Sequence, residues 1–172
     1  MKKLFSILAM SAFMFTAITA CSQDKSKRPS PPAKVSEKVG AATVTIDYSQ
    51  PSIKGRTIGK DVEPMEGQVW RAGANEATVF EVDKAVKVNG QDLPAGKYGL
   101  YMISAAGGDW TVIFNKTWNQ WGTNYSQKDD ALRVKAKVAT GAPVTEKLTY
   151  KIDKSGKVSL LWGDRVVDFM VQ

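Results

Sequence analysis

The sequence predicts an all-β protein, a single antiparallel β-sandwich of about eight to ten strands. Three observations lead there. Apolar residues alternate with polar ones over most of the chain, with β-branched and aromatic types prominent. Turn signals built on Gly, Pro, Asn and Asp recur every ~8–12 residues. No segment carries a helical period long enough to form an amphipathic helix of consequence.

The strands follow in order from about Val35. In 43–48, TVTIDY, Val44, Ile46 and Tyr48 share one face and Thr43, Thr45 and Asp47 the other. Residues 77–82, ATVFEV, are β-branched and aromatic. Residues 85–90, AVKVNG, end in Asn89-Gly90, the dipeptide that suits a tight hairpin. Residues 93–104, LPAGKYGLYMIS, read as a turn feeding a strand, and Gly107-Gly108-Asp109 turns into 110–115, WTVIFN. A loop spans 116–130. In 131–140, Leu132, Val134, Ala136 and Val138 alternate with Arg133, Lys135 and Lys137, which argues for a strand with one solvated basic face. The segments 146–153, 158–162 and 165–172 complete a meander, with Asp153-Lys154-Ser155-Gly156 as a hairpin turn. Trp110, Val112 and Phe114 share a core face, and Tyr98 and Tyr101 are expected as cross-strand partners.

The first twenty residues stand apart. Lys2 and Lys3 precede an apolar run from Leu4 to Ile18, too short to span a bilayer comfortably, and small residues follow it. Residues 1–20 are therefore expected to be a secretory signal peptide. Ile18-Thr19-Ala20-Cys21 resembles the lipobox of bacterial lipoproteins, which implies cleavage before Cys21 and its lipidation. Residues 21–34, rich in Pro, Ser and Lys, are expected to be a flexible tether, with the β-domain over 35–172. The expected location is the cell envelope, with the domain lipid-anchored to a bacterial membrane and held in the periplasm or on the cell surface.

Two absences restrict the chemistry. The chain has no histidine, which excludes Ser-His-Asp and Cys-His catalysis and removes the commonest zinc ligand. Its single cysteine is the lipobox residue, so no intrachain disulfide forms and the fold depends on its core. The formal charge of +7 is diffuse, and cleavage before Cys21 would remove Lys2 and Lys3; no nucleic-acid partner is expected. Neither a phosphate-binding loop, a dinucleotide fingerprint nor a nucleophile elbow occurs, so no cofactor or metal is expected.

Five blocks carry a family resemblance: YSQPSIKGR (48–56), VWRAGANEAT (69–78), LPAGKYGLY (93–101), WTVIFNK (110–116) and WNQWGTNY (118–125). In this order they resemble the domain of unknown function 2911 family of secreted bacterial proteins, over roughly residues 30–172. The resemblance implies an envelope β-domain and no reaction.

The block at 69–78 concentrates polar chemistry. Gly73 allows an irregular bend, with a positive φ expected there, and Asn75 holds a turn. Arg71 and Glu76 flank the bend and are expected to close on each other, with Arg56 near by. Two readings follow. One is a structural Arg–Glu network at a corner of the sandwich. The other is a ligand pocket in which Arg56 and Arg71 take an anionic group and Asn75 and Glu76 fix hydroxyls or amides. Trp118 and Trp121, with Asn119 and Gln120 between them, resemble a sugar-stacking surface; the plainer reading has Trp121 plugging one end of the sandwich and Trp118 packed on Tyr125. The expected function is a non-catalytic binding module for a carbohydrate, peptide or other small envelope ligand, or for an envelope protein. A rival is a hydrolase of glycan or peptide linkages using Glu76 with a second carboxylate, Asp47 or Asp129. A third is a purely structural envelope component.

Overall fold

A computed structural model describes residues 24–172. The expected signal peptide (1–20) and lipidation site (Cys21) lie outside the described residues. Among the described residues, twelve strands run in chain order: β1 (Pro32–Val39), β2 (Ala42–Ser49), β3 (Val69–Trp70), β4 (Thr78–Val82), β5 (Val86–Val88), β6 (Gln91–Leu93), β7 (Gly96–Ile103), β8 (Trp110–Asn115), β9 (Asp130–Ala139), β10 (Thr145–Ile152), β11 (Lys157–Gly163) and β12 (Arg165–Met170). β1 begins at Pro32, inside the segment expected as tether.

Ten strands form one sheet in the order β1-β2-β4-β7-β8-β9-β12-β11-β10, with β3 added beside β7. β5 and β6 form a separate hairpin, whose Asn89 and Gly90 take φ of 45° and 81°. All the sheet pairings are antiparallel. The long sheet folds over on itself rather than splitting into two layers. Its ends meet where the chain leaving β2 pairs with the start of β10: the Ile53 N–H donates to Glu146 O (3.0 Å) and the Leu148 N–H to Pro51 O (3.0 Å). The result is one antiparallel sheet closed nearly into a barrel.

Alternation fills the interior as the sequence requires. Val44, Ile46 and Tyr48 of β2 join Phe80, Phe114, Leu160, Trp162 and Phe169 in one buried cluster. Phe80 and Phe114 meet edge to face at 4.9 Å, a favourable aromatic geometry. Trp110, Val112 and Phe114 lie in this core, and Val134 and Ala136 point inward from β9. A second, smaller cluster lies on the outer face of β7 and β8: Ala77, Tyr101 and Ile113, with Ile103 and Tyr125 against them. The loop 116–130 covers that face.

The register places the polar stretch. Trp70 of β3 pairs with Met102, and Thr78 of β4 pairs with Leu100. Only Tyr101 of β7 stands between those partners, so residues 71–77 have no room in the ladder and loop out of the sheet over it.

Candidate functional site

The extruded loop is held from below by its own backbone. The Ala72 carbonyl accepts two buried hydroxyls, Thr78 Oγ1 (3.1 Å) and Tyr150 Oη (2.9 Å), while Trp70 Nε1 donates to Gly73 O (3.1 Å). The positive φ expected at Gly73 falls instead on Ala72 (49°) and Asn75 (60°). Gly73 is required for space: a Cβ there would lie 2.7 Å from Thr78 Oγ1 and 3.2 Å from Ser49 O.

From above, the tryptophan loop is stitched on. The Ala77 N–H donates to Gln120 O (3.1 Å) and the Gly122 N–H to Asn75 O (3.1 Å), so Glu76 and Trp121 face each other as a short antiparallel bridge. Gly122 fits because a Cβ would collide with Arg71 Cδ. The two blocks thus form one surface although some 45 residues separate them.

The expected Arg71–Glu76 pair does not form. Glu76 is taken by the N-terminal segment: Arg28 Nη1 donates to both carboxylate oxygens at 2.9 Å, and Lys25 Nζ lies 3.1 Å from Oε1. Partial burial pushes this carboxyl upward, but the hydrogen bonds from Arg28, from its own backbone N–H and from Lys25 outweigh it and hold the group at about 2. Asn75 likewise turns to this segment, donating from Nδ2 to Ser30 O (3.1 Å). Arg71, displaced from Glu76, lies along Gly122 with its Nε buried and without a hydrogen-bond partner. Arg56 is elsewhere: its guanidinium is exposed and bonds Ile53 O (3.0 Å) and Ser52 O (2.6 Å), fixing the turn after β2. Of the six candidates, Asn75, Glu76, Trp118 and Trp121 come together, Arg71 lies beneath them, and Arg56 does not join.

Both tryptophans are exposed, Trp118 at 36% and Trp121 at 47%. Neither plugs the sandwich. Tyr125 packs on Tyr101 (5.0 Å between ring centres) rather than on Trp118, which carries Lys97 Nζ over its ring at 5.2 Å. Gln120 is only partly available to a ligand, because its amide N–H groups are directed to Tyr101 Oη (3.1 Å) and Thr117 O (3.0 Å). Trp118, Asn119, Gln120, Glu76, Asp47 and Arg28 line an open cleft of about 290 Å³. A larger cavity of about 490 Å³ lies against the 104–109 turn and Arg165, and none of the sequence candidates lines it. Its walls are mostly small turn residues, and its one aromatic, Trp110, is buried in the core.

Two features carry no signal in the sequence. Lys25 and Arg28 look like tether composition, and nothing local ties them to Glu76, which is 48 positions beyond Arg28. Arg133, expected on a solvated basic face, instead belongs to a half-buried cluster: Arg133 Nε and Tyr125 Oη both donate to Asp130 Oδ2 (2.7 and 2.8 Å), and Asn115 Nδ2 donates to Oδ1 (2.9 Å). Burial, then the hydrogen bond to Asp130, push the Tyr125 hydroxyl up to about 12. This cluster anchors the base of the loop that carries the tryptophans.

The profile of one family, described as a protein of unknown function (DUF2911), matches residues 30–171. The chain belongs to that family. The match spans the looped-out stretch, the tryptophan loop and every strand of the DUF2911 domain. No curated protein and no solved structure matches the chain.

Proposed function

We propose that this DUF2911 protein is a non-catalytic binding module of the bacterial cell envelope, secreted by its signal peptide and lipid-anchored through Cys21. Its ligand is a small, hydroxyl-rich molecule of carbohydrate type, taken in the cleft beside Trp118. The observation that carries this reading is the exposed Trp118 ring walling the same cleft as Glu76 and Asn119. An indole face packs on sugar C–H groups, and planar carboxylate and amide groups at its edge accept and donate to hydroxyls.

The same geometry favours binding over hydrolysis. Glu76 and Asp47 both line the cleft, the arrangement a hydrolase would need. Glu76 is held ionised by two cations, whereas a general acid needs a carboxyl raised toward neutral pH. Asp47 is ion-paired with Lys34 at 3.1 Å. Asp129 lies apart, its backbone bonded to Lys116 at the foot of the loop.

Saturation-transfer NMR with a panel of neutral and acidic oligosaccharides tests the reading. Transfer is expected to at least one, lost in Trp118→Ala and retained in Arg56→Ala. Transfer that survives Trp118→Ala, or a panel with no binder, contradicts it.

A further inference from the structure

We infer that the face carrying Trp118 and Trp121 rests on the bilayer interface, so that the cleft is presented at the membrane surface. The inference depends on the lipidation of Cys21 proposed above, and adds an orientation to it. Three observations converge. Arg28 lies seven positions after Cys21, a reach of at most about 25 Å even if fully extended. Arg28 is fastened to Glu76 (2.9 Å), and Glu76 is bridged through its backbone to Trp121, so the anchor holds this corner within that reach of the lipid. The corner then presents two of the four large hydrophobic residues exposed among the described residues, both indoles, the side chain enriched at bilayer interfaces.

Charge contributes little. Lys25 and Arg28 share the one carboxylate of Glu76, which leaves a single net positive charge there, while Lys27 is paired with Asp24, Lys34 with Asp47 and Lys97 with Glu81. The contact is therefore driven by indole insertion and by the short link to the anchor rather than by attraction to anionic lipid, whose effect would fall with salt. A cleft held in this way meets ligands at the bilayer surface before those in bulk solution.

The full lipidated chain, reconstituted in zwitterionic phosphatidylcholine vesicles with acyl chains brominated near the headgroup, provides the test. Trp70, Trp110 and Trp162 are buried in the protein, so quenching reports on Trp118 and Trp121. The expected result is a loss of tryptophan emission relative to unbrominated vesicles, unchanged at high salt and abolished in the Trp118→Phe/Trp121→Phe double variant. Arg28→Ala, with the anchor intact, is expected to show a smaller loss. Protein that floats with the vesicles without losing emission overturns the orientation. Quenching equal in wild type and Arg28→Ala removes the clasp from it. Protein that fails to float at all overturns the anchor and the inference together, whatever saturation transfer from the oligosaccharide panel shows.

Discussion

The buried Ala72 carbonyl is one of the points that hold the bend at 71–77, and it gives the most specific test. Ala72 is completely buried and takes φ of 49°, a backbone region that costs a non-glycine residue free energy unless its surroundings hold it. Its oxygen accepts from Tyr150 Oη at 2.9 Å and from Thr78 Oγ1 at 3.1 Å. Burial pushes the Tyr150 hydroxyl well above its ordinary range, so it remains a neutral donor at any working pH. Tyr150→Phe or Thr78→Val alone leaves one donor in place and is expected to cost about 1 kcal/mol. Together they orphan the carbonyl and are expected to add a coupling of roughly 1–3 kcal/mol beyond the sum. Each kcal/mol lowers Tm by about 2–4 °C for a domain of this size. The assay is denaturant unfolding of wild type, both single variants and the double variant. Additive single and double variants would refute the claim that these hydroxyls jointly hold the loop.

Two further outcomes are expected. Glu76 drops from an ordinary 4.5 to about 2 on folding, so its contribution to stability is present above pH 4.5 and is lost as pH falls toward 2; a pH series of urea melts should show this decline shallower in Glu76→Gln. Asn115 is fully buried and donates to Ser126 O and Asp130 Oδ1 (both 2.9 Å), so Asn115→Asp removes both donors and sets a second carboxylate against Asp130. It should destabilise the protein by roughly 1–3 kcal/mol and speed hydrogen exchange through residues 116–130.

Local pattern carried the strands. The alternation in β2 and β9 set which side chains entered the core, and Asn89-Gly90 marked its hairpin, because both signals act within a few residues. The twist that closes one sheet on itself leaves no such mark, since it depends on the chain after β2 meeting β10 about a hundred residues later. The polar stretch was visible as a concentration of function-like residues, but its partners were not. Arg71 and Glu76 were near in sequence and of opposite charge, yet the loop directs Glu76 toward Arg28 and folds Arg71 under Gly122. Whether Trp118 and Trp121 were buried or exposed turned on the backbone bridge to 75–77, which no periodicity encodes.

The partner of Glu76 is therefore the point on which the site depends, and NMR titration of its side-chain carboxyl measures it directly. The clasp places the wild-type midpoint at about 2, moves it upward in Arg28→Ala and leaves it in place in Arg71→Ala. A midpoint that rises in Arg71→Ala but not in Arg28→Ala would contradict the clasp and restore the Arg71–Glu76 pair.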